Sequence, residues 1–196
     1  MEIATSDDGM ALAVHLHQEG AFERLVEHFE KPLFNYVQKL LQNSHDSQEV
    51  VQDTFMRAHQ ALTKQYDAER SKTLVLRPWL YRIARNLSHN KRRGKRLQIE
   101  EPLPAFETKD FQAQVHDVSV LCRIEQKEEL ERLSKSIAVL PDESRELLFL
   151  RFIEEMSYAE IAKTTGHGEA SLRGKVFRSL KQLREVLSGE EVSNAM

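Results

Sequence analysis

The chain has 196 residues, 40% of them hydrophobic, with 28 Lys and Arg against 31 Asp and Glu for a formal net charge of -3. That length suits one or two compact domains with real cores, and no stretch approaches the roughly 18 consecutive apolar residues that a membrane span needs. The single Cys122 can neither close an internal disulfide nor build a zinc set, so it reads as a small buried apolar side chain.

The opening MEIATSDDGMALAV lacks the basic stretch and following apolar run of a secretory signal, which points to a cytosolic protein. Residues 1–19 read as an N-terminal extension, with His15 and His17 in a frayed segment. A first domain then spans 20–96. Within it Phe22, Leu25, Val26, Phe29, Leu33, Val37 and Leu40 recur at helical spacing, and Pro32 is expected to kink or divide that helix. After a polar break at 43–46, Val50, Val51, Thr54, Phe55, Ala58 and Leu62 share the inner face of a helix over 47–62. Glu49, Gln52, Asp53, Arg57 and Gln60 fall elsewhere on it.

Residues 65–77 read as a loop, and Pro78 suits the first position of the next helix, where its missing N–H has no intrahelical partner anyway. On that helix Leu80, Ile83, Ala84 and Leu87 form the inward stripe. The opposite side carries Arg82, Arg85, Asn86, His89 and Arg93, with Trp79 at the boundary. From Arg77 to Arg96 there are eight Lys and Arg residues and no acid. Such segregation in a net-negative chain points to an anionic partner, nucleic acid first.

Between 97 and 120 the composition turns to scattered acids with Pro102 and Pro104, an interdomain linker. Helical periodicity resumes near Leu121 in a second domain, 121–187, followed by a tail over 188–196. No strand-like alternation appears, so the fold class is all-α: two small helical domains joined by a flexible linker.

The second domain ends in SYAEIAKTTGHGEASLRGKVFRSLKQLR. Ser157 and Glu160 form a capping box for one helix, Gly166 suits a left-handed C-cap, and a second helix follows the GHG turn. In that second helix Leu172, Val176, Leu180 and Leu183 line the inner face, and Ser171, Gly174, Lys175, Arg178 and Gln182 lie opposite. This is helix-turn-helix punctuation, although a plain helical bundle with a solvated charged side would share it. The acid-free run from Ala170 to Arg184, with Arg173 and four further cations, favours DNA, because an ordinary solvated face mixes signs.

Both halves together resemble one family, the alternative sigma factors of the extracytoplasmic-function (ECF) group. The resemblance rests on SQEVVQDTFMRAHQAL and RPWLYRIARNLSHNKRR in the first half and LPDESRELLFLRFIEEMSYAEIAKTTG in the second, and covers roughly 20–96 and 121–187. It implies that Glu49, Gln52, Asp53 and Arg57 contact the clamp helices of core RNA polymerase. It likewise implies that the helix from Pro78 reads the minus-10 element as it opens. Asn86 and Asn90 would take base edges, Trp79 would form a wall or stacking surface, and Arg82, Arg85, His89, Arg92, Arg93, Lys95 and Arg96 would face the strand and its phosphates. Ser171, Arg173, Gly174, Lys175 and Arg178 would meet the minus-35 major groove, and the linker would thread toward the polymerase active centre.

Promoter DNA, core polymerase and an anti-sigma protein are the implied partners; no metal, cofactor, catalysis or membrane insertion is expected. Gly174 and Gly168 depart from the family pattern, which puts the minus-35 sequence in doubt but not the docking mode. Two rivals are a conventional helix-turn-helix regulator that binds duplex DNA without polymerase, and a metal-dependent hydrolase built on some of the eight histidines. The first leaves the N-terminal half unexplained, and the second lacks an HExxH or paired-carboxylate motif.

Overall fold

The computed structural model describes residues 7–96, 133 and 135–194, and every regular element among them is helical. Helix α1 (Asp7–His15) is part of the first domain and not a frayed extension. It buries Met10, Ala11, Ala13 and Val14, and His15 Nδ1 donates to the Leu62 carbonyl at 3.0 Å. Apolar residues at 10, 11, 13 and 14 give α1 an inner face, and burying that face offsets the fraying expected of so short a helix.

Helix α2 (Ala21–Leu41) runs through Pro32 without dividing. Pro32 removes one ladder bond, but Phe29, Leu33, Tyr36 and Val37 are all buried on either side of it, and that packing holds the helix together. Helix α3 (Ser44–Gln60) starts earlier than the apolar pattern suggests, because the Asn43 side chain accepts from the Asp46 N–H at 3.0 Å and caps it. A π-helical turn, Ala61–Gln65, ends it.

The expected loop before Pro78 holds a further short helix, α4 (Ala68–Thr73), whose N-cap Asp67 accepts from the Arg70 N–H at 2.7 Å. Ala68 and five polar residues give no periodicity to read, so only the cap announces it. Helix α5 (Leu76–Arg96) begins two residues before Pro78, which still lies in the first turn where no N–H partner is lost.

In the C-terminal half, helical residues 135–138 lead to α6 (Asp142–Leu148), a π-helical turn (Phe149–Ile153), α7 (Tyr158–Thr165) and α8 (Glu169–Asn194). The Ser157–Glu160 capping box is present, and Gly166 takes φ 80° at the C-cap, a left-handed angle that glycine adopts without steric cost. The buried face of α8 is Leu172, Val176 and Ser179, with Leu183 packed beside it; Leu180 turns outward. The i, i+4, i+7, i+11 path through Ser179 tracks the 3.6-residue repeat, and the helix continues through most of the expected tail.

The two halves share one contiguous apolar cluster from Met10 to Val176. Helix α5 packs on α7 and α2 touches α6, and Thr164 Oγ1 donates to the Pro78 carbonyl at 3.4 Å. Among the described residues no helix is long and apolar enough to cross a membrane. The expected linker and Cys122 lie outside the described residues.

Candidate nucleic-acid interface

Helix α5 carries two polar faces, and the structure separates them. Arg82, Asn86, Asn90 and Arg93 are exposed and fall at i, i+4, i+8 and i+11, a single stripe along the helix. None of the four has an ion-pair or hydrogen-bond partner for its side chain among the described residues. A run of donors with no acid and no internal partner is suited to phosphate oxygens and base edges.

Arg85, His89 and Arg92 lie on the other polar face, toward the C-terminal half. Arg85 makes a two-pronged contact with Glu146 of α6, Nε to Oε1 at 2.8 Å and Nη2 to Oε2 at 3.3 Å. Tyr36 donates to the same Oε1 at 2.6 Å. Arg92 pairs with Asp142 at 2.5 Å. Burial works against the Arg85 charge, yet the hydrogen bond and charge of Glu146 outweigh it and hold the guanidinium firmly protonated. His89 moves the opposite way: burial first, then the neighbouring Arg85, press its pKa below the usual imidazole value. Its Nε2 is buried without a hydrogen-bond partner among the described residues.

A second carboxylate from the C-terminal half repeats the arrangement. Glu154, just after the π-helical turn, receives Tyr81 and Arg77, the latter through Nη2 at 3.2 Å. Burial and the adjacent carboxylates raise the pKa of both Tyr36 and Tyr81, so both hydroxyls stay protonated donors. Tyr36, Tyr81 and Phe149 form an aromatic floor between the halves, with centroids at 5.1 and 6.1 Å from Tyr36. Sequence reading does not single out Tyr36, Tyr81, Glu146 or Glu154. Each sits inside an apolar-rich helical stretch, and nothing local reveals a partner 60 to 110 residues away.

Trp79 is half-buried, its ring tilted against Tyr66 at 5.7 Å, and the Arg70 guanidinium covers Tyr66 at 3.8 Å. The loop side of α5 thus ends in a cation-aromatic stack at the foot of the exposed stripe. Lys91 spans back to α3, pairing with Glu49 and with Asp46 at 3.6 Å. The hydrogen bond that Lys91 donates to Glu49 leads the causes that raise the Lys91 pKa. His45, Asp46 and Glu49 bring ligand atoms within 4.8 Å of one another, but the Lys91 ammonium already satisfies both carboxylates. The side chains of Lys95 and Arg96 lie outside the description.

On α3, Glu49, Gln52, Asp53 and Arg57 are all exposed along one face. Met56 stands among them with 64% of its surface in solvent, and Phe22, Val26, Phe34 and Phe55 line an open groove between α2 and α3 beside it. Met56 breaks the inner-face pattern of α3, which is the only signal in the sequence that it faces out. On α8, Ser171, Arg173 and Arg178 are exposed, whereas Gly174 and Lys175 are half-buried. Lys175 pairs with Glu143 of α6, and the hydrogen bond from Lys175 leads the causes that lower the Glu143 pKa. His167 Nε2 approaches the same carboxylate at 3.1 Å. Phe177, 69% exposed, projects from the same helix.

The family model described as Sigma-70 region 2 matches residues 25–98, and that described as Sigma-70, region 4 matches residues 130–183. The chain belongs to the sigma-70 family. Carrying regions 2 and 4, this sigma factor is a polymerase-associated transcription initiation factor. It is 24% identical over 165 residues to the ECF RNA polymerase sigma factor SigM of Bacillus subtilis, covering 83% of this chain and 92% of that one. With the ECF RNA polymerase sigma-E factor of Salmonella typhimurium it shares 27% identity over 179 residues, 89% of this chain and 90% of the relative. Its fold is similar to that of CnrH in complex with the cytosolic domain of CnrY, with a TM-score of 0.64 at 24% identity over 93% and 97% of the two chains. The sigma factor RpoE bound to the anti-sigma factor NepR from Bartonella quintana gives a TM-score of 0.63 at 20% identity, over 86% and 98%. Both polar faces of α5 fall in region 2, and the α6 carboxylates that meet one of them fall in region 4.

Proposed function

We propose that this sigma factor docks on core polymerase through Glu49, Gln52, Asp53, Arg57 and Met56 of α3, and captures the opened minus-10 strand on α5. Arg82, Asn86, Asn90 and Arg93 form the primary stripe of that site, Trp79 bounds it, and Arg85 and Arg92 extend it once their partners on α6 withdraw, with His89 between them. Ser171, Arg173, Gly174, Lys175 and Arg178 of α8 enter the minus-35 major groove. The working units are 20–96, with α1 packed into it, and 121–187, joined by 97–120, acting in the cytoplasm without catalysis of their own. An anti-sigma protein is a further partner, as it is for the RpoE and NepR pair.

The observation that carries this reading is the stripe of four exposed donors, without partners among the described residues, on a helix devoid of acids. Amide groups offer paired donors and acceptors to unstacked base edges, and the flanking guanidiniums follow the backbone without reading sequence.

The test is initiation. Added to sigma-free core polymerase, the protein should start transcripts from a subset of a promoter library, whereas a regulator that binds duplex alone would start none. Free protein that binds an intact duplex tightly and with sequence specificity would overturn the assignment.

A further inference from the structure

Four of the residues assigned to core polymerase form one ridge on α3. Glu49, Gln52, Asp53 and Met56 stand at i, i+3, i+4 and i+7, so their side chains line up along a single face of the helix. Met56 is the apolar member of that ridge, with 64% of its surface in solvent, and it borders the groove lined by Phe22, Val26, Phe34 and Phe55. An apolar anchor ringed by polar side chains is how a protein interface concentrates its affinity. From this placement we infer that Met56 is a site of reversible oxidation, at which conversion of the thioether to the sulfoxide releases the protein from core polymerase.

Exposure singles out this sulfur. The chain has five methionines, of which Met1 and Met196 lie outside the described residues. Met10 is 8% exposed and Met156 is fully buried, both inside the apolar cluster. The Met156 sulfur is further covered by the Thr164 hydroxyl at 4.0 Å. A thioether is oxidised only where the oxidant can reach it, so among the described methionines Met56 reacts first.

The step is a two-electron oxygen transfer from hydrogen peroxide. A sulfur lone pair attacks one peroxide oxygen, the O–O bond breaks as the S–O bond forms, and the departing hydroxide takes the proton from the new S–OH group to leave as water. Sulfur is oxidised, peroxide is reduced, and no further reactant is needed. The product carries a polar S–O group where a partner's apolar side chain would pack, and that group must be stripped of water on docking. Met56 lies outside the apolar core, so the fold survives the change. Methionine sulfoxide reductases return the thioether, which makes the change reversible.

The inference rests on the proposed docking through α3, and the test separates the two ideas. Full-length protein with Cys122→Ser, which removes the thiol that peroxide would also oxidise, is treated with hydrogen peroxide and quenched with free methionine. It is then mixed with untreated sigma-free core polymerase. Peptide mass spectrometry should find Met56 converted while Met10 and Met156 stay reduced. Affinity for core should fall at least about tenfold, the loss expected when a buried methionine side chain becomes polar. The thermal midpoint should shift by less than about 2 °C, as for other changes at an exposed position. Methionine sulfoxide reductases should restore the starting affinity.

Two variants that keep the helix propensity of methionine complete the test. Met56→Gln places a permanent polar group on the ridge and should bind core about tenfold more weakly than the parent with no oxidant present. Met56→Leu has no sulfur to oxidise and should hold its own untreated affinity through the peroxide step. Parent protein whose affinity survives full conversion of Met56, or a loss of affinity that Met56→Leu shows equally, would overturn the switch. Untreated parent that fails to bind core polymerase would remove the docking reading and the switch together. Untreated parent that binds core no better than Met56→Gln does would keep docking and overturn the switch alone.

Discussion

The Glu146 side chain is only 4% exposed, and Arg85 and the Tyr36 hydroxyl replace the water it loses. Asn86, one turn along α5 from Arg82, illustrates the opposite case: it is exposed and has no side-chain partner among the described residues. Asn86→Ala should therefore change the unfolding free energy by less than about 0.5 kcal/mol. The same substitution should weaken capture of a pre-melted minus-10 strand by about 1 to 2 kcal/mol, with core polymerase binding unaltered. Equal losses in strand and core binding would make the residue structural.

His89 offers a pH test at this scale. It faces Arg85, Arg92 and Arg93 on its own helix and Glu146 on α6, and its pKa is lowered chiefly by burial. The unfolded chain thus binds the proton more readily, near pH ~6.5, than the folded chain does. Stability should be fully present above that value and should fall as the pH drops toward the lowered one. Thermal midpoints measured between about pH 7.5 and 5.5 should show this loss, and His89→Gln should remove that part of it.

At the scale of elements, α8 combines a weak point with a contact surface. A Cβ at Gly174 would meet only the Arg178 guanidinium at 3.5 Å, an ordinary contact, and the position is helical. Gly174→Ala should stabilise the protein by about 0.8 to 1 kcal/mol, raising the midpoint by about 2 to 4 °C for a chain of this size. It should also retune minus-35 preference across a randomised library, because in the proposed docking the new methyl meets the groove. For α7, Ser157→Ala removes the capping box and should cost about 1 kcal/mol. The capping box and the Gly166 turn were legible because they are local chemistry with fixed spacing. Helix α4 was not, since Ala68 and its five polar residues form no stripe, and Pro32 misled because interior packing outweighed one missing bond.

At the scale of the whole molecule, regions 2 and 4 share one apolar cluster and a set of ion pairs, so they should unfold together. Scanning calorimetry of the full chain should give a single transition. Glu146→Ala with Glu154→Ala leaves Arg85 and Arg77 without their carboxylates, and should resolve that transition into two. A single transition in the variant, merely shifted, would mean that apolar contact alone couples the halves.

The sequence by itself determined that the chain is all-α, where α7 begins and ends, and that α5 and α8 carry cationic faces suited to DNA. These follow from periodicity, caps and charge, all of which act within a few residues. It could not divide the polar side of α5 into two. Arg82, Asn86, Asn90 and Arg93 look the same in sequence as Arg85, His89 and Arg92, because hydrophobic periodicity separates apolar from polar and says nothing of which polar face meets water. That distinction depends on Glu146, Glu154 and Asp142, carboxylates delivered by a different region of the chain. Only the tertiary structure decided it, since an ion pair is fixed by the distance between charges in space and not by their separation along the chain.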